Sequence, residues 1–327
     1  MSFVETDVAR QGRNRAIGIF CALGGAFLFS ANDVLIKLLS SGYALHQVVL
    51  IRSLIALGVL LALIVPLQGG IAALRTRRIG MHVLRGLCVV IANMTFFTAL
   101  AAMPLVDAVA IFFVSPLLIT AFSVLILGES VGARRWGSVI IGLLGVVIML
   151  RPGTDAFRLA ALLPLIAATG YAMLQILTRK IGGTESATAM TFYILLTFIA
   201  VSGAMGLFFG DGRFAGSGHA SIEFLFRAWI WPEPRDWLTF VALGFASAFA
   251  GVLISQAYRV GEAAVIAPFE YVAMPLAVFW GVVAFGEWPD TIAWAGTTLI
   301  VGGGIYMFVR EALANRRIAA RRPPPVR

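Results

Sequence analysis

Ten stretches of mostly apolar residues, at 16–39, 44–67, 84–103, 105–127, 133–151, 158–179, 186–210, 236–258, 263–286 and 290–309, follow one another with only short breaks. A helix needs about 20 such residues to cross the hydrocarbon core of a bilayer. The breaks carry turn formers, among them Ser41-Gly42, Gly69-Gly70, Pro104, Pro152-Gly153 and Gly182-Gly183. The pattern predicts an all-α membrane protein of ten transmembrane helices. Composition agrees, with 60% hydrophobic and 13% charged residues. Soluble domains carry roughly 25% charged residues. A soluble chain of 327 residues would need charged skins around about two cores. This chain lacks them, so lipid is the solvent.

The N-terminal run from Ala16 follows Arg10, Arg13 and Arg15, as in a secretory signal. It continues to Leu39 without a cleavage site of small residues, so it reads as a retained first span. Residues 211–235 contain Trp229 and Trp231 and read as an interfacial segment. The net charge of +9 does not indicate nucleic acid, because the basic residues recur in small clusters between spans. Cys21 and Cys88 lie inside apolar runs, so no disulfide framework, metal or cofactor is implied.

With a cytoplasmic N-terminus, 18 of the 25 basic residues fall on the cytoplasmic side, Arg85 among them, and five fall outside. Lys37 and Arg52 remain within spans. This bias places both termini in the cytoplasm, in a cell inner membrane.

Two segments match across the chain. Pro116 and Glu129 lie 13 positions apart and Pro275 and Glu287 lie 12 apart, each segment ending in Gly-Glu; a Gly-rich span then closes at Arg151 or Arg310. Five spans per copy is an odd number, so the halves must insert upside down relative to each other. The predicted division is a cytoplasmic segment 1–15, a first repeat 16–151, a second repeat 158–310 and a basic cytoplasmic tail 311–327. Inverted repeats mark secondary transporters, whose halves rock about a site at their interface.

These segments and the ten-span plan resemble the EamA group of the drug/metabolite transporter superfamily, over Ala16 to Arg310. The resemblance implies alternating access through a cavity lined by the first, third, fourth, sixth, eighth and ninth spans. The stretch IFFVSPLLITAFSVLILGES resembles importers of riboflavin or S-adenosylmethionine type. The implied partners are a small-molecule substrate and the lipid bilayer, with protons as candidate coupling ion, in a monomer or homodimer.

Ionisable residues inside spans cost roughly 2.5–3.5 kcal/mol at mid-helix, so each needs a reason. Asp33 and Arg52 lie at depths of about 9 and 12 Å on a rise of 1.5 Å per residue, compatible with a structural ion pair. Lys37, one turn beyond Asp33, is an alternative partner. Glu270 lies between Pro268 and Pro275, where proline loosens the backbone, and is a candidate for ligand contact or coupling. Asn32, Asn93, Tyr171, Gln175, Gln256, Tyr258 and Tyr271 complete a candidate pocket. Phe96, Phe97, Phe112 and Phe113 suit either core packing or stacking on a planar ligand. Glu129 and Glu287 repeat at span ends, which argues for structural work. The Gly128–Gly132 match to G-x-S-x-G is a decoy, since no strand precedes it and His46, His82 and His219 fall in or near loops.

The expectation is therefore a carrier of a small metabolite, first of a planar vitamin- or cofactor-like compound, second an amino-acid or drug exporter. A membrane enzyme or receptor lacks support in any catalytic motif or signalling domain.

Overall fold

The computed structural model describes residues 2–129, 133–150, 159–216 and 218–320. It is all-helical, 81% helix, with no strand among the described residues. The elements are α1 (Ser2–Leu39), α2 (Leu45–Val59), α3 (Ile79–Leu100), α4 (Leu105–Phe112), α5 (Ser115–Leu127), α6 (Ala133–Leu150), α7 (Leu162–Ile181), α8 (Ala187–Phe209), α9 (Ala220–Phe226), α10 (Trp237–Val260), α11 (Ala273–Phe285) and α12 (Thr291–Ala320). A π-turn at Leu60–Ile64 and a final turn at Val65–Leu67 extend α2.

Seven described stretches are both long and apolar enough to cross a bilayer, against the ten expected. These are Ala16–Leu39, Leu45–Leu67, Ile79–Leu100, Leu105–Leu127, Leu162–Ile181, Ala187–Phe209 and Trp237–Val260. Of the other three predicted spans, the fifth forms α6, and Arg151 lies outside the described residues together with Arg158. The ninth is divided, with a single turn at Ala263–Ile266 and a 3-10 segment at Ala267–Val272 ahead of α11. The tenth is α12, whose apolar part runs Thr291–Gly303. The third span starts five residues before its predicted start, at Ile79, because the arginines nearby mask its entry.

The two matched segments adopt matched shapes. Each matched proline stands in the first turn of a helix, Pro116 in α5 and Pro275 in α11, where its missing N–H costs no ladder bond. Each helix follows a break, between α4 and α5 in the fourth span and the 3-10 segment Ala267–Val272 in the ninth. Both segments also end alike. Gly128 and Gly286 take φ of 70° and 65°, the left-handed region that glycine enters without penalty. The next N–H reaches back six residues, Glu129 to Ser123 at 3.2 Å and Glu287 to Gly281 at 2.9 Å. The repeated Gly-Glu is thus a left-handed glycine cap closing α5 and α11.

Glu287 does a second job. Its Oε1 accepts from Lys37 Nζ at 2.7 Å and its Oε2 from the Leu105 N–H at 2.8 Å, tying the end of α1 to the start of α4. Lys37 is thereby the partner of Glu287, not of Asp33.

Helices pack in pairs, α1 along α10, α3 along α7, α2 along α8 and α6 along α12. Glycine permits the first two. A Cβ at Gly25 would sit 2.5 Å from Ile254 Cγ1, and one at Gly170 would sit 3.0 Å from the Cys88 carbonyl. Small residues of this kind let helices approach closely where lipid supplies no hydrophobic drive between them. The outward faces are apolar, with Phe20 74% and Leu125 72% exposed, as lipid contact requires.

The segment after α8 folds over the α1–α2 turn. Gln47 pairs with the backbone of Ile230 in both directions, Arg227 donates to the Ser40 carbonyl, and Tyr43 donates to Asp236 at 2.6 Å. The two tryptophans separate: Trp231 is exposed, as an interfacial residue would be, whereas Trp229 wedges between Gly206 and His46.

Candidate functional site: a polar cavity in the helix bundle

A cavity of about 180 Å³ lies between α1, α2, α3, α4, α7, α8 and α10 and the 3-10 segment. The resemblance implied six lining spans. The structure adds the second and seventh, through Arg52 and Ser53 on α2 and Thr191 and Phe198 on α8.

One pole is built on Arg52. Its side chain is 3% exposed and lines the cavity. Nη2 donates to Asn93 Oδ1 at 2.9 Å and Nη1 donates to Asn32 Oδ1 at 3.3 Å. Asn32 in turn donates to Ser247 at 3.5 Å, so α1, α2, α3 and α10 meet at one node. Phe97 and Phe198 flank the charge, their ring centres 5.7 and 5.2 Å from Cζ, in cation–π range. Asp33 lines the same cavity. The expected direct ion pair is not formed. Asn32 and Asn93 hold the guanidinium, and Asp33 acts on it only through space.

Glu270 forms the other pole. The 3-10 turn around Pro268 aims its carboxylate inward, where Oε1 accepts from Tyr258 at 2.6 Å. Tyr171 reaches the same carboxylate. Gln175, one helical turn beyond Tyr171, lines the cavity with an amide nitrogen that has no partner among the described residues. A buried donor left open in a cavity wall suits an incoming acceptor. Between the poles runs an aromatic wall. Phe96 lies 5.1 Å from Phe112, which lies 5.3 Å from Tyr171. Phe97 and Phe113 line the cavity as well.

Two predicted pocket residues lie elsewhere. Gln256 is near the end of α10, where its Oε1 accepts from Arg259 at 3.1 Å. Tyr271 is buried outside the lining, its ring 5.5 Å from Phe113, because one step along the 3-10 turn points it away from Glu270.

Sequence reasoning missed a buried cluster beside the cavity. Arg85, counted among the basic residues of the cytoplasmic side, is 1% exposed and lines the cavity. Its Nε donates to Thr178 at 3.0 Å, and Nη1 faces His82 Nδ1 and the Met190 carbonyl, each at 3.5 Å. His82 Nε2 meets Glu185 at 3.2 Å while the ring stacks on Tyr193 at 4.4 Å. A neutral imidazole protonated on Nε2 satisfies both neighbours. His46, also read as near a loop, is buried within α2. The usable signal was the spacing His82-x-x-Arg85, which places both on one helix face. No group of three metal-ligating side chains occurs among the described residues.

The family model of the EamA-like transporter family matches residues 16–151. A riboflavin transporter of Vibrio cholerae is 31% identical over 75% of this chain and 76% of its own length. An S-adenosylmethionine uptake transporter of Rickettsia prowazekii is 27% identical over 86% of this chain and 89% of its own. A pseudopaline exporter of Pseudomonas aeruginosa is 26% identical over 87% and 93%. A crystal structure 21% identical in sequence superposes with a TM-score of 0.67, covering 91% of this chain and 97% of the other.

Proposed function

Because this chain belongs to the EamA-like transporter family, and is a transporter rather than an enzyme, we propose that it is a secondary carrier importing a planar, cofactor-like metabolite of riboflavin or S-adenosylmethionine type. The observation that carries this reading is the cavity itself. Eight spans converge on it, and it holds Asp33, Arg52 and Glu270, charges that a bilayer tolerates only for a purpose. Two inverted halves, 16–151 and 158–310, rock about it. The matched helix breaks, the matched left-handed glycine caps and the exchange of partners between α1–α10 and α7–α3 support that symmetry. At about 180 Å³ the cavity is below the range of roughly 300–1,000 Å³ usual for ligand pockets, which fits a conformation more closed than the loaded one. Protons are the proposed coupling ion, with Glu270 as their acceptor. Export is the second reading, favoured by the similarity to the pseudopaline exporter.

Purified protein in liposomes preloaded with unlabelled riboflavin or S-adenosylmethionine should accumulate the labelled compound above protein-free vesicles. Counterflow of neither would remove this substrate class. Orientation is tested separately. Single cysteines at 68–78, in a background lacking Cys21 and Cys88, should react from the cytoplasmic side, and cysteines at 211–235 from the outside. Labelling with the two sides exchanged would invert the proposed topology.

A further inference from the structure

Arg52 is a buried cation, and each hydrogen bond it makes ends on a neutral amide oxygen. Two of the five N–H groups of a guanidinium are engaged in this way. The nearest acid of the cavity, Asp33, is one residue past Asn32 on α1 and makes no ion pair with it. A guanidinium and a carboxyl group therefore face one small space with no ion pair between them. Neither can reach the other by rotating freely, since the two asparagines and the rings of Phe97 and Phe198 hold the guanidinium in place.

Closing the pair would be the cheaper arrangement if it served packing alone, because opposite charges in a low dielectric gain most in contact. Held apart, they present a fixed dipole to whatever enters. The complement is a molecule carrying a carboxylate and an ammonium on one carbon. Arg85 does not enter this balance, as Thr178, His82 and the Met190 carbonyl occupy it within the cluster that ends on Glu185. We infer that the cavity recognises metabolites bearing an α-amino-carboxylate head, the carboxylate on Arg52 and the ammonium on Asp33, with the aromatic remainder against Phe96, Phe112 and Tyr171. Such a head inserts into the dipole without adding net charge to the bilayer interior. A ligand without ionised groups leaves both charges unanswered. This inference rests on the carrier reading above and narrows its two candidate substrates to the S-adenosylmethionine type.

S-adenosylhomocysteine and 5′-methylthioadenosine share a nucleoside and a thioether and differ in the amino-acid head, so their affinities for the protein in nanodiscs isolate its contribution. Charge-assisted hydrogen bonds to both ends should make the former at least about tenfold tighter. Arg52→Gln should abolish that ratio while leaving methylthioadenosine binding near the wild-type value. Asp33→Asn should lower the ratio too, and serves if Arg52→Gln does not fold. Equal affinities in the wild type, or equal weakening of both ligands by the substitutions, would overturn the inference. Binding of riboflavin alone overturns it and leaves the carrier reading intact, whereas failure of all three to bind or to show counterflow removes both.

Discussion

Replacing Glu270 with glutamine is expected to leave a folded, ligand-binding protein whose proton-driven uptake falls by roughly tenfold or more while exchange survives. Glutamine keeps the size of the side chain, and its amide oxygen can still accept the Tyr258 hydroxyl that now lies 2.6 Å from Oε1. What it loses is the ability to take up and release a proton. The proposed coupling role rests on its setting: it faces the cavity, two tyrosines approach it, and no basic side chain bonds to it among the described residues. If substrate and proton enter together, wild-type uptake should rise as the outside is acidified, and uptake by Glu270→Gln should not. Counterflow needs no net proton movement and so should persist. A well-expressed Glu270→Gln carrier with wild-type uptake and an unchanged response to the pH gradient would assign the residue to packing alone. Weakened ligand binding with an unchanged gradient response would instead make it a ligand contact.

Arg85→Gln is expected to be the most destabilising single change to the buried polar network, by roughly 3–5 kcal/mol, the usual cost of removing one member of a buried charged set. The arginine joins α3 to α7 through Thr178 and to α8 through the Met190 carbonyl, and it buttresses His82 against Glu185. Its loss leaves the Glu185 carboxylate, itself 5% exposed, with a neutral imidazole as its side-chain partner. Glu185→Gln should be milder when made in the Arg85→Gln background than in the wild type, since the charge it removes is already uncompensated there. Thermal unfolding of the four proteins measures this, and a coupling of about 0.5–3 kcal/mol is the range for residues in one network. Losses that simply add would mean the cluster is a set of independent contacts.

The sequence by itself determined the solvent, the class and the family. Apolar runs long enough to span a bilayer, together with too little charge for a soluble surface, exclude a water-borne fold before any contact is known. The paired Pro-to-Gly-Glu segments were legible because their effects are local. A proline without an N–H fits the first turn of a helix, and a glycine free to take positive φ closes one, whatever surrounds them. Asn32, Asp33, Asn93, Tyr171, Gln175 and Glu270 were legible as cavity residues for a related reason, since a polar group in a span has few places to go but inward. Tertiary structure alone decided which of these groups meet. Charge counting paired Asp33 with Arg52, but the approach of α1 and α3 supplies amide oxygens that reach the guanidinium first. Tyr271 and Gln256 left the site on turns of the backbone worth one residue each. His82 read as near a loop and Arg85 as part of the cytoplasmic charge because a basic residue near a span end has the same sequence signature whether it faces water or turns inward. Their partners, Thr178, Glu185 and Met190, lie about a hundred residues away in the chain, where no local pattern can announce them.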